Sequence, residues 1–219
     1  MTENDVKAFI EAHWDARAVR FDEGPTHGLH SDAQRAAWSS LIRTWVGRTP
    51  TDTLDVGCGT GFFALQLAAL GHRTVGVDLA ETMLALAREK AAKAGLDTVF
   101  QRGDAEELEF PDQCFDLLTA RHLIWTLPDP AKALREWARV LRTGGRAVLV
   151  EGVWAGLTEA DYHLPVRDRL PMYGGRPARE VGELALANGF THVEVEPLTS
   201  ADLWLAPQSG DRYALHAWT

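Results

Sequence analysis

The chain has 219 residues, long enough to bury a full hydrophobic core without disulfides or metals to staple it. Hydrophobic residues make up 46% and charged residues 24%, which excludes a disordered chain. Twenty-two basic against 31 acidic residues leave a net charge of −9, so a nucleic-acid backbone meets a repulsive average field and is not an expected partner.

In chain order, Ile10, Trp14, Arg17 or Ala18, and Phe21 recur at helical spacing and predict an amphipathic helix over the first 20 or so residues. This stretch is charged throughout and lacks the apolar middle of a secretion signal, so the expectation is a cytoplasmic protein. The turn-rich run GPTHGLHSD follows, then a second helix over roughly Asp32 to Val46. After Pro50, TDTLDVG, HRTVGVD, DTVFQRG, CFDLLTA and GGRAVLVEG are short β-rich runs. Helical segments at 60–70, 80–94 and 129–142 separate them, and a helix near 178–188 precedes the strands THVEVEPL and RYALHAW. Such β-α-β alternation predicts a mainly parallel α/β sheet with helices on both faces. No uncharged run reaches the roughly 20 residues that a membrane span needs. Cys58 and Cys114 form no CxxC pair and are expected as free thiols.

Ligands of such sheets lie beyond the carboxyl ends of the strands. Three of those ends carry a carboxylate: Asp55 beside the turn Gly57-Cys58-Gly59-Thr60-Gly61, Asp78 closing GVD, and Asp104 after QRG. Glycines there admit positive φ and let a ligand approach the backbone. Dinucleotide turns usually read G-x-G-x-x-G, whereas Phe62 stands where the last glycine belongs, and Asp55 repels a pyrophosphate but attracts a cation. Asp78 follows Gly59 at close to the separation of about 20 residues that a ribose-binding acid shows. Asp78 with Glu81, and Asp104 with Glu107, also fit capping boxes, and Asp55 fits a carboxylate that satisfies turn amides.

LDVGCGTG, VGVDLAETML, GDAEELEFPDQCFDLLTARHLIW and ALREWARVLRTGGRAVLVE, in this order over residues 53–152, resemble the class I S-adenosylmethionine-dependent methyltransferases. The similarity is greatest to the small-molecule branch that includes the ubiquinone and menaquinone biosynthesis enzymes, to whose N-terminal segment AHWDARAVRFDE is also similar. The resemblance implies a Rossmann-like seven-stranded sheet with its last strand antiparallel, S-adenosyl-L-methionine as cofactor, S-adenosyl-L-homocysteine as product, and a small-molecule acceptor. It implies a single domain: a helical lid over 1–48, a cofactor core over 51–152, an acceptor cap over 153–176 and the rest of the sheet over 177–219. Asp55, Gly57, Cys58 and Gly59 match the methionine-binding part of the family motif, Asp78 the ribose acid, and Asp104 with Ala105 the adenine site. Trp14, Leu79, Met83 and Arg121 fall beside them as further cofactor contacts.

On the acceptor side, His122 is a candidate general base with an ordinary imidazole pKa of about 6.5, or with Trp125 a lining residue. In the long stretch after the fifth strand, Trp154, Tyr162 and Tyr173 are candidates to clamp a flat acceptor. Arg167, Arg169 and Arg176 are candidates to pair with an acidic one. His27 and His30 have a spacing found in metal sites, but no cysteine pair or HExxH run accompanies them, so no metal is expected. TARHLIW replaces the Asn/Asp-Pro-Pro-aromatic run of the family's amine-methylating nucleic-acid and protein-glutamine enzymes. A non-catalytic cofactor-binding subunit and an NAD(P)-dependent oxidoreductase remain as rival readings, and a monomer or homodimer is expected.

Overall fold

The computed structural model describes residues 2–47, 49–154, 165–204 and 211–219. Seven strands form one sheet: β1 (Asp52–Val56), β2 (Arg73–Asp78), β3 (Val99–Arg102), β4 (Phe115–Arg121), β5 (Leu141–Gly152), β6 (His192–Pro197) and β7 (Arg212–Trp218). Their order is β3-β2-β1-β4-β5-β7-β6. The first five strands run parallel, and β7 lies antiparallel to both its neighbours. The chain winds outward from β1 through β2 to β3 and then returns to place β4 on the other side of β1. The crevice above the β1/β4 junction is thus the topological switch point, where open α/β sheets bind ligands.

Successive strand residues face opposite sides of a sheet, and the central strands are apolar on both. Leu118 and Ala120 of β4 and Ala147 and Leu149 of β5 join one core, together with Leu134, Trp137 and Val140 of α5 (Pro130–Val140) and Val181 of α6 (Ala178–Leu186). Leu117, Val148 and Val150 face the other core, which contains Trp38, Ile42 and Trp45 of α2 (Asp32–Val46) and Phe63 and Leu67 of α3 (Phe62–Ala69). Burial of these side chains, at about 25 cal/mol per Å² of apolar area, is the main force closing the two layers.

Helix starts show the expected local chemistry. Ser31 caps α2 by accepting from the Gln34 amide, and Asp129 caps α5 ahead of Pro130. Helix α3 has Gly61 as its N-cap and no neighbouring side chain caps it. Its Ala64 amide donates instead to Asp55 of β1, at 3.0 Å.

α1 (Glu3–Phe21) buries Val6, Ile10 and Ala18 and lies across the carboxyl edge of the sheet against α4 (Glu81–Ala94). Lys7, Glu11 and Asp15, four residues apart, form a polar stripe beside the apolar one. Glu11 pairs with Arg102 at 2.9 Å, and Asp15 accepts from the Thr82 amide at 2.8 Å. Just past the helix, Asp22 accepts from the Thr60 hydroxyl at 2.6 Å and pairs with Lys90.

Candidate functional site

The strand tips and α1 enclose a cavity of about 790 Å³. All eleven residues that the sequence places around a cofactor line it: Trp14, Asp55, Gly57, Cys58, Gly59, Asp78, Leu79, Met83, Asp104, Ala105 and Arg121. His122, Trp125 and Trp154 line it as well.

The glycine turn is fixed by what surrounds it. Gly57 has φ +62°, which favours glycine, and a Cβ there would meet Leu123 Cδ1 at 2.6 Å, so that side chain would have to shift. Gly59, at φ +52°, would direct a Cβ into the cavity, with only the Phe21 ring near at 3.7 Å. The Cys58 amide donates to the Val77 carbonyl at 3.0 Å, and the Gly59 amide donates to Asp78 Oδ2 at 2.8 Å. β2 therefore holds the turn in place.

The three strand-end carboxylates play different parts. Asp55 is 2% exposed and accepts from the Ala64 amide and from the Thr119 hydroxyl at 2.8 Å. Burial pushes its carboxyl up to about 7 despite those bonds. Asp78 accepts from the Gly59 and Ala80 amides, and burial outweighs these bonds to raise its pKa. Asp104 accepts from the Glu106 amide at 2.9 Å and pairs with Lys7 at 2.8 Å. Neither Asp78 nor Asp104 heads a capping box: the N-cap of α4 is Ala80, and residues 104–107 form a turn with no helix after it. Glu81 and Glu107 turn outward to Arg88 and Lys132.

Lys7 is a site residue that the sequence does not disclose. Its ammonium also reaches the fully buried carboxylate of Glu106 at 2.6 Å. Burial opposes its charge, but hydrogen bonds with Asp104, Glu106 and Glu3 outweigh that and raise its pKa. Glu106 in turn accepts from the Asp129 amide at 2.7 Å, and the adjacent Ala105 carbonyl accepts from Trp137 Nε1 at 2.9 Å. No helical or strand period links Lys7 to residues a hundred positions away.

Beyond β4 the chemistry changes sign. The Arg121 guanidinium lies 3.5 Å from the centre of the Phe62 ring and donates to the Thr26 and His27 carbonyls. Arg212, at the start of β7, stacks 3.9 Å over Trp154. His122 has φ +55°, an uncommon conformation for a residue with a Cβ, held by its amide donating to the Val150 carbonyl at 2.9 Å. Its ring packs 4.5 Å from Trp154 and lies beside the Thr26 backbone.

The ordinary imidazole pKa expected for His122 is not kept. Burial, then Arg121, His27 and Arg212, drive it well below 6.5, so the ring is neutral. His27 stacks 4.3 Å from the Phe21 ring and lines the cavity. Burial, then Arg121 and Arg17, push it down to about 3. His27 is thus a half-buried part of the cavity wall rather than a solvated loop residue, while His30 contacts the Gly24 carbonyl at 2.9 Å. Behind His122, Glu151 is 1% exposed and accepts from the Leu123 and Ile124 amides at 2.8 and 2.9 Å.

Four of the expected acceptor contacts lie apart from this wall. A short 3-10 turn exposes Arg167 and Arg169, which do not line the cavity. Arg176 folds back onto the carbonyls of Pro171, Tyr173 and Gly175. Tyr173 packs behind the cavity wall, 5.7 Å from the Trp125 ring. Tyr162 lies outside the described residues. Arg17, Arg20, Glu23, His27 and Arg212 also line the cavity.

Residues 54–149 match a family model described as a methyltransferase domain. The chain is 44% identical over 127 residues to a phosphatidylethanolamine N-methyltransferase of Cereibacter sphaeroides, covering 56% of this chain and 59% of that protein. It is 32% identical over 184 residues to a demethylmenaquinone methyltransferase of Halalkalibacterium halodurans, covering 74% and 73%. Several curated relatives are spanned over only 44–59% of their own length. Among solved structures, phosphoethanolamine N-methyltransferase 2 of Haemonchus contortus shares the fold at TM-score 0.73 and 22% identity, over 98% of this chain and 60% of that one. With the sheet order, the glycine turn and its carboxylates agreeing with these matches, the chain belongs to the class I S-adenosylmethionine-dependent methyltransferases.

Proposed function

We propose that this protein transfers a methyl group from S-adenosyl-L-methionine to a small-molecule acceptor, leaving S-adenosyl-L-homocysteine. The observation that carries the reading is the cradle formed by Gly57–Gly59 between Asp55 and Asp78. It suits this group: the backbone at Gly59 is open to the cavity, and its flanking side chains are carboxylates, which favour a cation over a diphosphate. Asp78 keeps lone pairs beyond its two amide bonds, the acceptor set that a ribose diol requires. Asp104 and Ala105 would bound the adenine, and Asp55 with the turn backbone the methionine end.

When bound, the cofactor supplies a methyl group on a positively charged sulfur. The protein's part is alignment and exclusion of water. Its rigid strand tips fix the cradle, and α1 covers it, so the acceptor is held in line instead of meeting the methyl group by diffusion. His122 is neutral and wedged against Trp154, which suits positioning. The lid, core and cap divisions expected from the sequence belong to the same proposal. Among the described residues no helix is long and apolar enough to cross a membrane.

Calorimetric titration with S-adenosylhomocysteine tests the reading. Asp78→Ala is expected to weaken binding at least tenfold, about 1.4 kcal/mol. Equal affinity would refute the ribose assignment, and tight NADH binding with no heat from S-adenosylhomocysteine would favour an oxidoreductase. Mass spectrometry of metabolite extracts incubated with enzyme and cofactor then looks for a methylated product; persistent silence despite cofactor binding would point to a non-catalytic subunit.

A further inference from the structure

The turn after β3 sets two carboxylates side by side. Asp104 lines the cavity with its side chain 26% exposed, whereas the Glu106 side chain is fully buried and accepts from the Asp129 amide at 2.7 Å. One ammonium faces both. Lys7 Nζ, in the second turn of α1, lies 2.8 Å from Asp104 Oδ2 and 2.6 Å from Glu106 Oε2, with Glu3 at 2.8 Å on its outer side. The other cations close by are engaged elsewhere: Lys132 pairs with Glu107 at 3.4 Å and Arg102 with Glu11 at 2.9 Å.

Two neighbouring carboxylates, one of them out of reach of water, repel each other and favour taking up a proton. Lys7 opposes this: burial raises the pKa of Glu106, and the ammonium pulls it back. The distinction matters at Asp104, because an ionised carboxylate only accepts hydrogen bonds while a protonated one also donates. Its direction is fixed as well. Oδ1 accepts from the Glu106 amide at 2.9 Å and Oδ2 from Lys7, so one bond comes from its own turn and the other from the covering helix. Each oxygen keeps a further lone pair for whatever occupies the cavity.

We infer that Lys7 is a positioning residue for the base of the bound nucleoside: acting through Asp104, it holds that carboxylate ionised and aimed, so that this end of the cavity selects a ring carrying an exocyclic N–H donor. The inference rests on the methyltransferase reading and its adenine placement, and it adds the covering helix to the elements that read the base. Covering the cleft and recognising the base then become one event. The ammonium travels with α1 and meets Asp104 only when the helix lies on the sheet edge. A base without the donor leaves a charged acceptor unmatched beneath the closed helix, which is costlier than the loss of a neutral bond.

The test compares two matched ligands by calorimetry: S-adenosylhomocysteine and its analogue with hydrogen in place of the 6-amino group of adenine. The unaltered protein is expected to prefer the amino compound by about tenfold, the size of one hydrogen bond to a charged group. In Lys7→Met the preference shrinks to about threefold or less, and in Lys7→Arg, which keeps the charge, it persists. Asp15→Ala, which frees the same helix from the Thr82 amide, changes both affinities by one factor and leaves the preference intact. A Lys7→Met that weakens both ligands equally, or that keeps the full preference, overturns the inference. So does a preference lost as completely in Lys7→Arg as in Lys7→Met. Lys7→Gln is judged by the same criterion if the methionine variant does not fold, and equal binding of the two ligands to the unaltered protein overturns the inference without any variant. If S-adenosylhomocysteine itself fails to bind, it is the methyltransferase reading that falls.

Discussion

Replacing Trp137 with alanine is expected to lower folding stability by about 3–5 kcal/mol, the range for removing a fully buried large aromatic side chain. The indole is completely buried between α5 and the sheet, and its Nε1 donates to the Ala105 carbonyl at 2.9 Å. Two effects are therefore combined. Trp137→Phe separates them: it keeps most of the ring but leaves that carbonyl without a partner, at about 1–3 kcal/mol. Urea denaturation of both variants gives the stability terms. Because Ala105 sits in the turn between Asp104 and Glu106, Trp137→Phe should also weaken S-adenosylhomocysteine binding. A phenylalanine variant as stable as the parent, with unaltered ligand affinity, would show that the indole bond does not hold this turn.

Glu151→Gln is expected to stabilise the ligand-free protein, and increasingly so as pH rises. Burial pushes the Glu151 carboxyl up from 4.5 to about 7, against the opposing pull of the Ile124 and Leu123 amides and of Arg121 and Arg212. The folded state therefore holds a proton that the unfolded chain has already released between about pH 4.5 and 7. Stability falls across that window in the parent and levels off above it. Glutamine removes the titration while keeping an oxygen for both amides. The stability gap between variant and parent should grow from pH 5 to pH 8, towards about 3 kcal/mol. Denaturation midpoints at the two pH values measure it, and a gap that does not change with pH would contradict the assignment.

The sheet was readable from the sequence because its signals are local. Short β-rich runs separated by helical periods gave the strand positions, and the glycine turn marked the switch point. The acidic half of the cavity was equally legible, since Asp55, Asp78 and Asp104 each sit at a strand end, where topology alone brings them together. On the other side Arg121 was legible at the end of β4, but Arg212 was not. Arg212 is distant in sequence from β4 and meets it only because β7 inserts antiparallel between β5 and β6. Lys7 and Glu106 are charged residues, which pattern alone assigns to solvent, and only their pairing lets them be buried. The arginines at 167, 169 and 176 were plausible from composition, but loop direction, which no period encodes, turns them away.

The polar stripe of α1 bears on how quickly the cleft exchanges its contents. Lys7, Glu11, Asp15 and the adjoining Asp22 fasten this helix to the turn after β3, to β3 itself and to α4, and the ion pairs of Glu11 with Arg102 and Asp22 with Lys90 lie near the surface. Pairs of this kind weaken as mobile ions screen them over about 10 Å at 0.1 M salt. Release of a nucleoside from beneath the helix should accordingly quicken with ionic strength, a dependence that stopped-flow tryptophan fluorescence would record through Trp14 and Trp125. The residence time of a spent cofactor would then be set by the salt of its surroundings as well as by the fit of its own atoms.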